Sequence, residues 1–284
     1  MTHIASFRCE NVELYLQDAL EGMRSLPDKS FDLAIADPPY GASSKAAWKL
    51  DSGHADLGFG GAWKLASHSW DMLSGNDSFM STLHWLSELK RLVKPKGSIW
   101  IHSTYHNSGF VNVACQLLGL EIINEVIWFK RNAFPNLAAR RLTASHETIL
   151  WVHTGGTKRE YLFNYDEVKA AYFDGDCLKE RGKQLRTVWD IPNNKTKDEQ
   201  KFGKHPTQKP LKLIERMLLI SAVRGGRLLI PFLGSGTDVV VGLRWGMSCI
   251  GFEIDQQYFD LACRRISYHH KQQEQMLPLE FVEC

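Results

Sequence analysis

Short apolar runs alternate with amphipathic stretches along most of the chain. "VELYL" (12–16) reads as a strand and "ALEGMRSLP" (19–27) as a helix stopped by proline. "FDLAIAD" (31–37) predicts a strand buried on both faces. In "FMSTLHWLSELKRLV" (79–93), Phe79, Leu83, Leu86, Leu89 and Leu92 form one helical stripe. The pattern then predicts a strand at 98–103, a helix at 111–121 and strands at 122–130 and 147–153. After an irregular region come a helix at 210–222, a strand at 227–231, a helix at 237–246, a strand at 249–254 and a helix from 256 to 271. Strands alternating with helices imply an α/β fold, a mostly parallel sheet with helices on both faces.

Two stretches break the rhythm. Residues 41–71 are rich in Gly and Ser, carry three tryptophans, and are too long for an ordinary connection. Residues 132–204 lose regular alternation after the strand at 147–153. This divides the chain into a core segment 1–131, an inserted region 132–204 and a second core segment 205–284.

Charge adds to that division. The whole chain carries a net +2, but residues 130–204 hold a net +5 within a mildly acidic remainder. A basic middle region suggests a face for a polyanion, and a solvated lysine-rich surface is the plainer alternative. No apolar run reaches the roughly 18 residues that span a bilayer. The N-terminus lacks the basic-then-apolar pattern of a secretory signal, so a cytoplasmic protein is expected. The six cysteines are scattered without a CxxC pair and read as reduced thiols. His102 and His106 are four residues apart but lack a third ligand, so no metal site is expected.

Two motifs carry chemistry. In "RLLIPFLGSGTDVVVGLRWGMSCIGFEID" (227–255) a buried strand ends in a turn with Gly234 and Gly236, a helix opens at Thr237, and the next strand ends at Glu253. Glycine lets a ligand approach the backbone, and an acid at the end of the second strand suits two ribose hydroxyls. With no phosphate-binding lysine in the turn, a nucleoside cofactor without a triphosphate is expected. The second motif is Asp37-Pro38-Pro39-Tyr40, at the carboxyl end of a buried strand. Pro38 and Pro39 lack N–H donors, so a carboxylate and a carbonyl stand together as acceptors. Such a pair suits a planar amino group, and Tyr40 offers a ring to stack on the base that carries it. An ordinary Asp-Pro turn is the alternative.

"DPPY" (37–40), "PFLGSGT" (231–237) and "GKHPTQKP" (203–210) together resemble the DNA amino-methyltransferases. The catalytic motif precedes the cofactor turn, which resembles the circularly permuted beta class. "PNLAARRLTASHETILW" (135–151), "FNYDEVK" (163–169) and "VWDIP" (188–192) resemble adenine-N6 methyltransferases of restriction–modification systems. The resemblance implies a Rossmann-like, permuted S-adenosylmethionine-dependent fold. It places the cofactor over Pro231, Phe232, Gly234, Ser235, Gly236 and Thr237, with Glu253 on its ribose, Asp18 on its adenine, and Asp37 and Lys209 beside its methionine end. It also implies a flipped adenine in double-stranded DNA, with a single strand as a further candidate, and a homodimer as a common state of the class. Arg140 and Arg141 in the basic region, with Lys45 and Lys49 of the 41–71 loop, are the expected DNA contacts. Trp48 or Trp63 would lie near bases.

The family usually carries an acid directly before Pro-Phe, facing the methionine amine, and this chain has Ile230. The expectation is weak cofactor binding that Ile230→Asp would tighten. Cytosine-N4 methyltransferases more often carry Ser in place of Asp37, so Asp37 favours adenine. A cytosine-N4 enzyme and a catalytically weak DNA-binding relative are the alternatives.

Overall fold

A computed structural model describes residues 5–40, 75–135, 140–155, 160–171, 173, 182–193 and 196–276. The 41–71 loop, with Lys45, Lys49, Trp48 and Trp63, therefore lies outside the described residues. The strands are β1 (Ser6–Cys9), β2 (Val12–Leu16), β3 (Phe31–Ala36), β4 (Val93–Ser103), β5 (Glu121–Phe129), β6 (His146–His153), β7 (Val188–Asp190), β8 (Arg227–Ile230) and β9 (Ser248–Glu253). The helices are α1 (Ala19–Arg24), α2 (Gly75–Leu92), α3 (Ser108–Leu117), α4 (Tyr165–Ala170), α5 (Lys197–Gln200), α6 (Leu211–Ser221), α7 (Thr237–Arg244) and α8 (Gln256–Met276).

Among the described residues, one nine-stranded sheet runs in the order β1-β2-β9-β8-β3-β4-β6-β5-β7. The central strands β2, β9, β8, β3 and β4 are parallel, as the alternation predicts. β6 is antiparallel to both β4 and β5, and β1 is an antiparallel edge that periodicity did not mark. Each sheet face buries its own apolar cluster. Leu33, Ile35, Leu228 and Ile230 point to the face covered by α4, α6, α7 and α8. Ala34, Ala36 and Leu229 point to the face covered by α1, α2 and α3. This is why β3 reads as continuously apolar rather than alternating.

The 132–204 stretch contributes β6 and β7 to this same sheet. Tryptophans tie it in: Trp128 Nε1 donates to the Ile191 carbonyl at 2.7 Å, and Trp100 and Trp151 stack at 5.3 Å. Among the described residues, no helix is long and apolar enough to cross a membrane.

The topology positions the site. From β3 the chain moves one way to β4, and from β8 it moves the other way to β9, so the boundary between β3 and β8 is a switch point. Open α/β sheets bind ligands at the carboxyl ends of strands flanking such a point.

Candidate active site

A cavity of about 410 Å³ opens at that switch point. Its walls include Asp37 to Tyr40 after β3, the Pro231–Ser235 turn after β8, Glu253 at the end of β9, and Asp18 after β2. Lys209 enters from the segment before α6, and α2 closes one side with Ser81, Thr82 and Trp85. Trp85 meets Phe232 edge-on at 5.7 Å, which fixes that wall. The volume lies within the range of small-molecule sites.

The β8–α7 turn has the shape its glycines imply. Gly234 sits at φ 51° and Gly236 at φ 74°, both in the left-handed region. A Cβ on Gly236 would stand 3.0 Å from Ile266 and 3.1 Å from Ala262, so this glycine lets α8 pack against the turn. Gly236 does not line the cavity, whereas Gly234, Ser235 and Thr237 do. Glu253 locks the turn from below. One of its carboxylate oxygens accepts the Gly234 N–H at 2.7 Å, and the other accepts from Ile254 at 3.0 Å and Asp255 at 2.9 Å. Burial raises the pKa of Glu253, and the three backbone donors oppose that rise. Asp18 caps α1 by accepting the Glu21 N–H at 3.0 Å.

Asp37 is the hub of a buried polar cluster. Lys209 Nζ lies 2.6 Å from its Oδ2 and donates to the Tyr40 hydroxyl at 2.8 Å. The Tyr40 hydroxyl in turn donates to Asp37 Oδ1. Glu147, at the start of β6, stands 3.8 Å from Lys209 and pairs with Lys130 at 2.9 Å. Burial works against an ionised Asp37, but the Lys209 charge and the hydrogen bonds override it and hold the carboxyl below its ordinary range. Burial likewise works against Lys209, and Asp37 and Glu147 hold its pKa above the ordinary value. His102, fully buried on β4, is pushed down to about 4 by burial despite the nearby carboxylates, so its ring is neutral near pH 7.

Pro38, Pro39, Tyr40, Asp18, Pro231, Phe232 and Lys209 all meet at the cavity as the motifs imply. Ile230 does not. It is fully buried in the core on the α6–α7 face, because alternation along β8 turns it away from the cavity. The sequence reading missed Asp238 and Glu147, and it weighed His102 only as a metal ligand. All three were visible as polar residues inside apolar helix or strand runs, but only the fold brings them together.

Arg140 and Arg141 are exposed, and Arg141 Nη1 donates to the Tyr105 hydroxyl at 2.7 Å. They lie on the connection from β5 to β6. β5 runs in the direction of β4, so this connection lies at the same sheet edge as Asp37.

The fold and this cavity place the chain among α/β proteins with a ligand-sized cavity at the switch point of a mostly parallel sheet. The sequence profile of the DNA methylase family (N6_N4_Mtase) matches residues 31–264, and the chain belongs to that family. It is 34% identical over 251 residues to the type II methyltransferase M2.DpnII of Streptococcus pneumoniae, covering 88% of this chain and 87% of that protein. The type II methyltransferase M2.LlaDCHI of Lactococcus lactis subsp. cremoris is 33% identical over 260 residues, covering 91% of this chain and 90% of that one. Among solved structures, the M1.HpyAVI–SAM complex matches the fold with a TM-score of 0.59 at 22% identity, covering 90% of this chain and 98% of that one.

Proposed function

We propose that this DNA methylase transfers a methyl group from S-adenosylmethionine to the N6 amino group of an adenine flipped out of double-stranded DNA. The observation that carries this reading is the Asp37–Lys209–Tyr40 cluster in one cavity with the Gly234 turn and Glu253. The cavity suits the cofactor. Its volume accommodates a nucleoside with an amino-acid tail. Its four carboxylates suit a ligand with several donors and positive charge. Glu253 and Asp18 would serve the nucleoside end, and the turn would take the chain between the two ends. When bound, S-adenosylmethionine supplies an electrophilic methyl on a sulfonium.

The protein's part is positioning and electrostatics. Each Asp37 oxygen keeps a lone pair beside the Lys209 or Tyr40 bond it already accepts. The carboxylate can therefore take a hydrogen from the base amine without releasing Lys209. Lys209 keeps Asp37 ionised and acceptor-only. With the Pro38 carbonyl as second acceptor, the nitrogen lone pair is drawn out of the ring and toward the methyl donor. Asp37 then stabilises the positive charge that develops on nitrogen. The proton lost from nitrogen passes to Asp37, whose low pKa returns it to water.

Incubating the protein with S-adenosylmethionine and duplex DNA, then weighing the nucleosides by mass spectrometry, tests the reading. N6-methyladenine is the expected product. N4-methylcytosine would establish the cytosine enzyme, and DNA binding without either product would establish a catalytically weak relative.

The duplex would lie across the sheet edge that carries Asp37, Arg140 and Arg141. If the two arginines meet phosphates, the Arg140→Ala/Arg141→Ala variant lowers the slope of log affinity against log salt by about two units. If one reads a guanine, about 1–3 kcal/mol of discrimination disappears at one base pair. Unchanged affinity, slope and preference would place both arginines off the DNA.

A further inference from the structure

Among the described residues four carboxylates line the cavity, and they form two groups. Asp18 and Glu253 adjoin, since the Gln17 N–H donates to the Glu253 carbonyl at 2.8 Å. Asp37 and Asp238 are electrostatic neighbours at the other end. Asp18 caps α1, Glu253 holds three backbone N–H groups, and Asp37 holds Lys209 and Tyr40. Asp238 is different. It is the second residue of α7, only 6% exposed, and its Oδ1 is buried with no hydrogen-bond partner among the described residues. Its neighbour Thr237 donates to the Lys209 carbonyl at 3.2 Å, which sets Asp238 beside the catalytic cluster.

A buried carboxylate oxygen without a partner is costly, and a cationic donor relieves it most. Of the groups S-adenosylmethionine carries, the α-ammonium is the one that is both cationic and a hydrogen-bond donor. We propose that Asp238 accepts a hydrogen bond from this ammonium and so anchors the methionine end of the cofactor. The proposal rests on the cofactor reading above. It also gives Ile230 no part in holding the amine.

The electrostatics add a signature. Burial, helped by the Asp37 charge, pushes the Asp238 carboxyl up to about 7, while its own backbone N–H, Lys209 and Arg265 favour its ionised form. Among the described residues, the buried Cys249 thiol also faces it, and burial raises the pKa of that thiol. Near neutrality the free protein therefore holds part of a proton on Asp238. An ammonium binds the ionised form and expels that proton. Affinity should rise with pH up to about 7 and flatten above it, until the ligand amine itself begins to lose its charge near 8.

The experiment is calorimetric titration of the whole protein and of Asp238→Asn with two ligands. One is S-adenosylmethionine, and the other is 5′-methylthioadenosine, which lacks the amino-acid portion. Asp238→Asn should weaken S-adenosylmethionine by about ten- to a hundredfold. It should leave methylthioadenosine within about twofold, because a nucleoside without the amine gains no charge-assisted bond. Repeating the wild-type titration in buffers of different ionisation heat should show proton release with S-adenosylmethionine alone. Unchanged S-adenosylmethionine binding in the variant would overturn the proposal, as would wild-type binding without proton release. Equal weakening of both ligands would also overturn it, assigning Asp238 to the turn through Arg265, which donates to the Ser235 carbonyl. If the wild type binds neither ligand, the cofactor reading itself fails, and this assignment with it.

Discussion

Asp37→Ala loses methyl transfer by about two to three powers of ten, because the acceptor that orients and charges the target amine is gone. It also loses stability, for a reason the pair geometry supplies. Lys209 is only 4% exposed at its side chain and stands 2.6 Å from Asp37. Without Asp37 its charge leans on Glu147 at 3.8 Å, which Lys130 already holds. Breaking a buried pair from one side costs about 3–5 kcal/mol, whereas replacing both partners with apolar groups is often nearly neutral. The double variant Asp37→Ala/Lys209→Met should therefore recover most of the melting temperature and none of the activity. Turnover by Asp37→Ala within tenfold of wild type would remove Asp37 from the chemistry. A double variant that melts as low as the single one would show that the ion pair is not the source of the instability.

Ile230→Asp should destabilise the protein rather than improve it. Ile230 is fully buried among Leu228, Leu213, Val240 and other apolar residues of the α6–α7 face. A carboxylate there has no partner, and burying a polar group without one costs several kcal/mol even when it takes up a proton. Against a total stability of about 5–15 kcal/mol, a loss of about 3–5 kcal/mol lowers the midpoint by roughly 6–20 °C for a chain of this size. Thermal unfolding followed by circular dichroism measures it. A variant that melts like the wild type and binds S-adenosylmethionine more tightly would return position 230 to the cofactor and leave Asp238 without its role.

The sequence determined the α/β class, the order of its central elements and the two motifs of the site. Period and length mark β3 and β8 as buried strands, and Pro and Gly mark where they end. Those signals are local, so they survive in one dimension. The same holds for the resemblance, which names the family through contiguous motifs such as "DPPY" and "PFLGSGT". Pairing direction was legible for the central parallel strands but not for the outer ones. β5 and β6 are antiparallel, and β7 joins the sheet from a stretch that looked irregular, because pairing depends on partners far along the chain.

The side-chain partners also waited for the fold. Lys209 is 172 residues from the carboxylate it pairs with, and the sequence suggested only that it lies near the methionine end. Ile230 and Asp238 make the same point from opposite sides. Motif position put residue 230 at the cofactor, but strand alternation turns it into the core. Asp238 is one acid in a mostly apolar helix, and only the switch point between β3 and β8 makes it a wall of the cavity. Local periodicity states which residues are buried, while the direction and company of each buried group are set by how distant strands and helices pack.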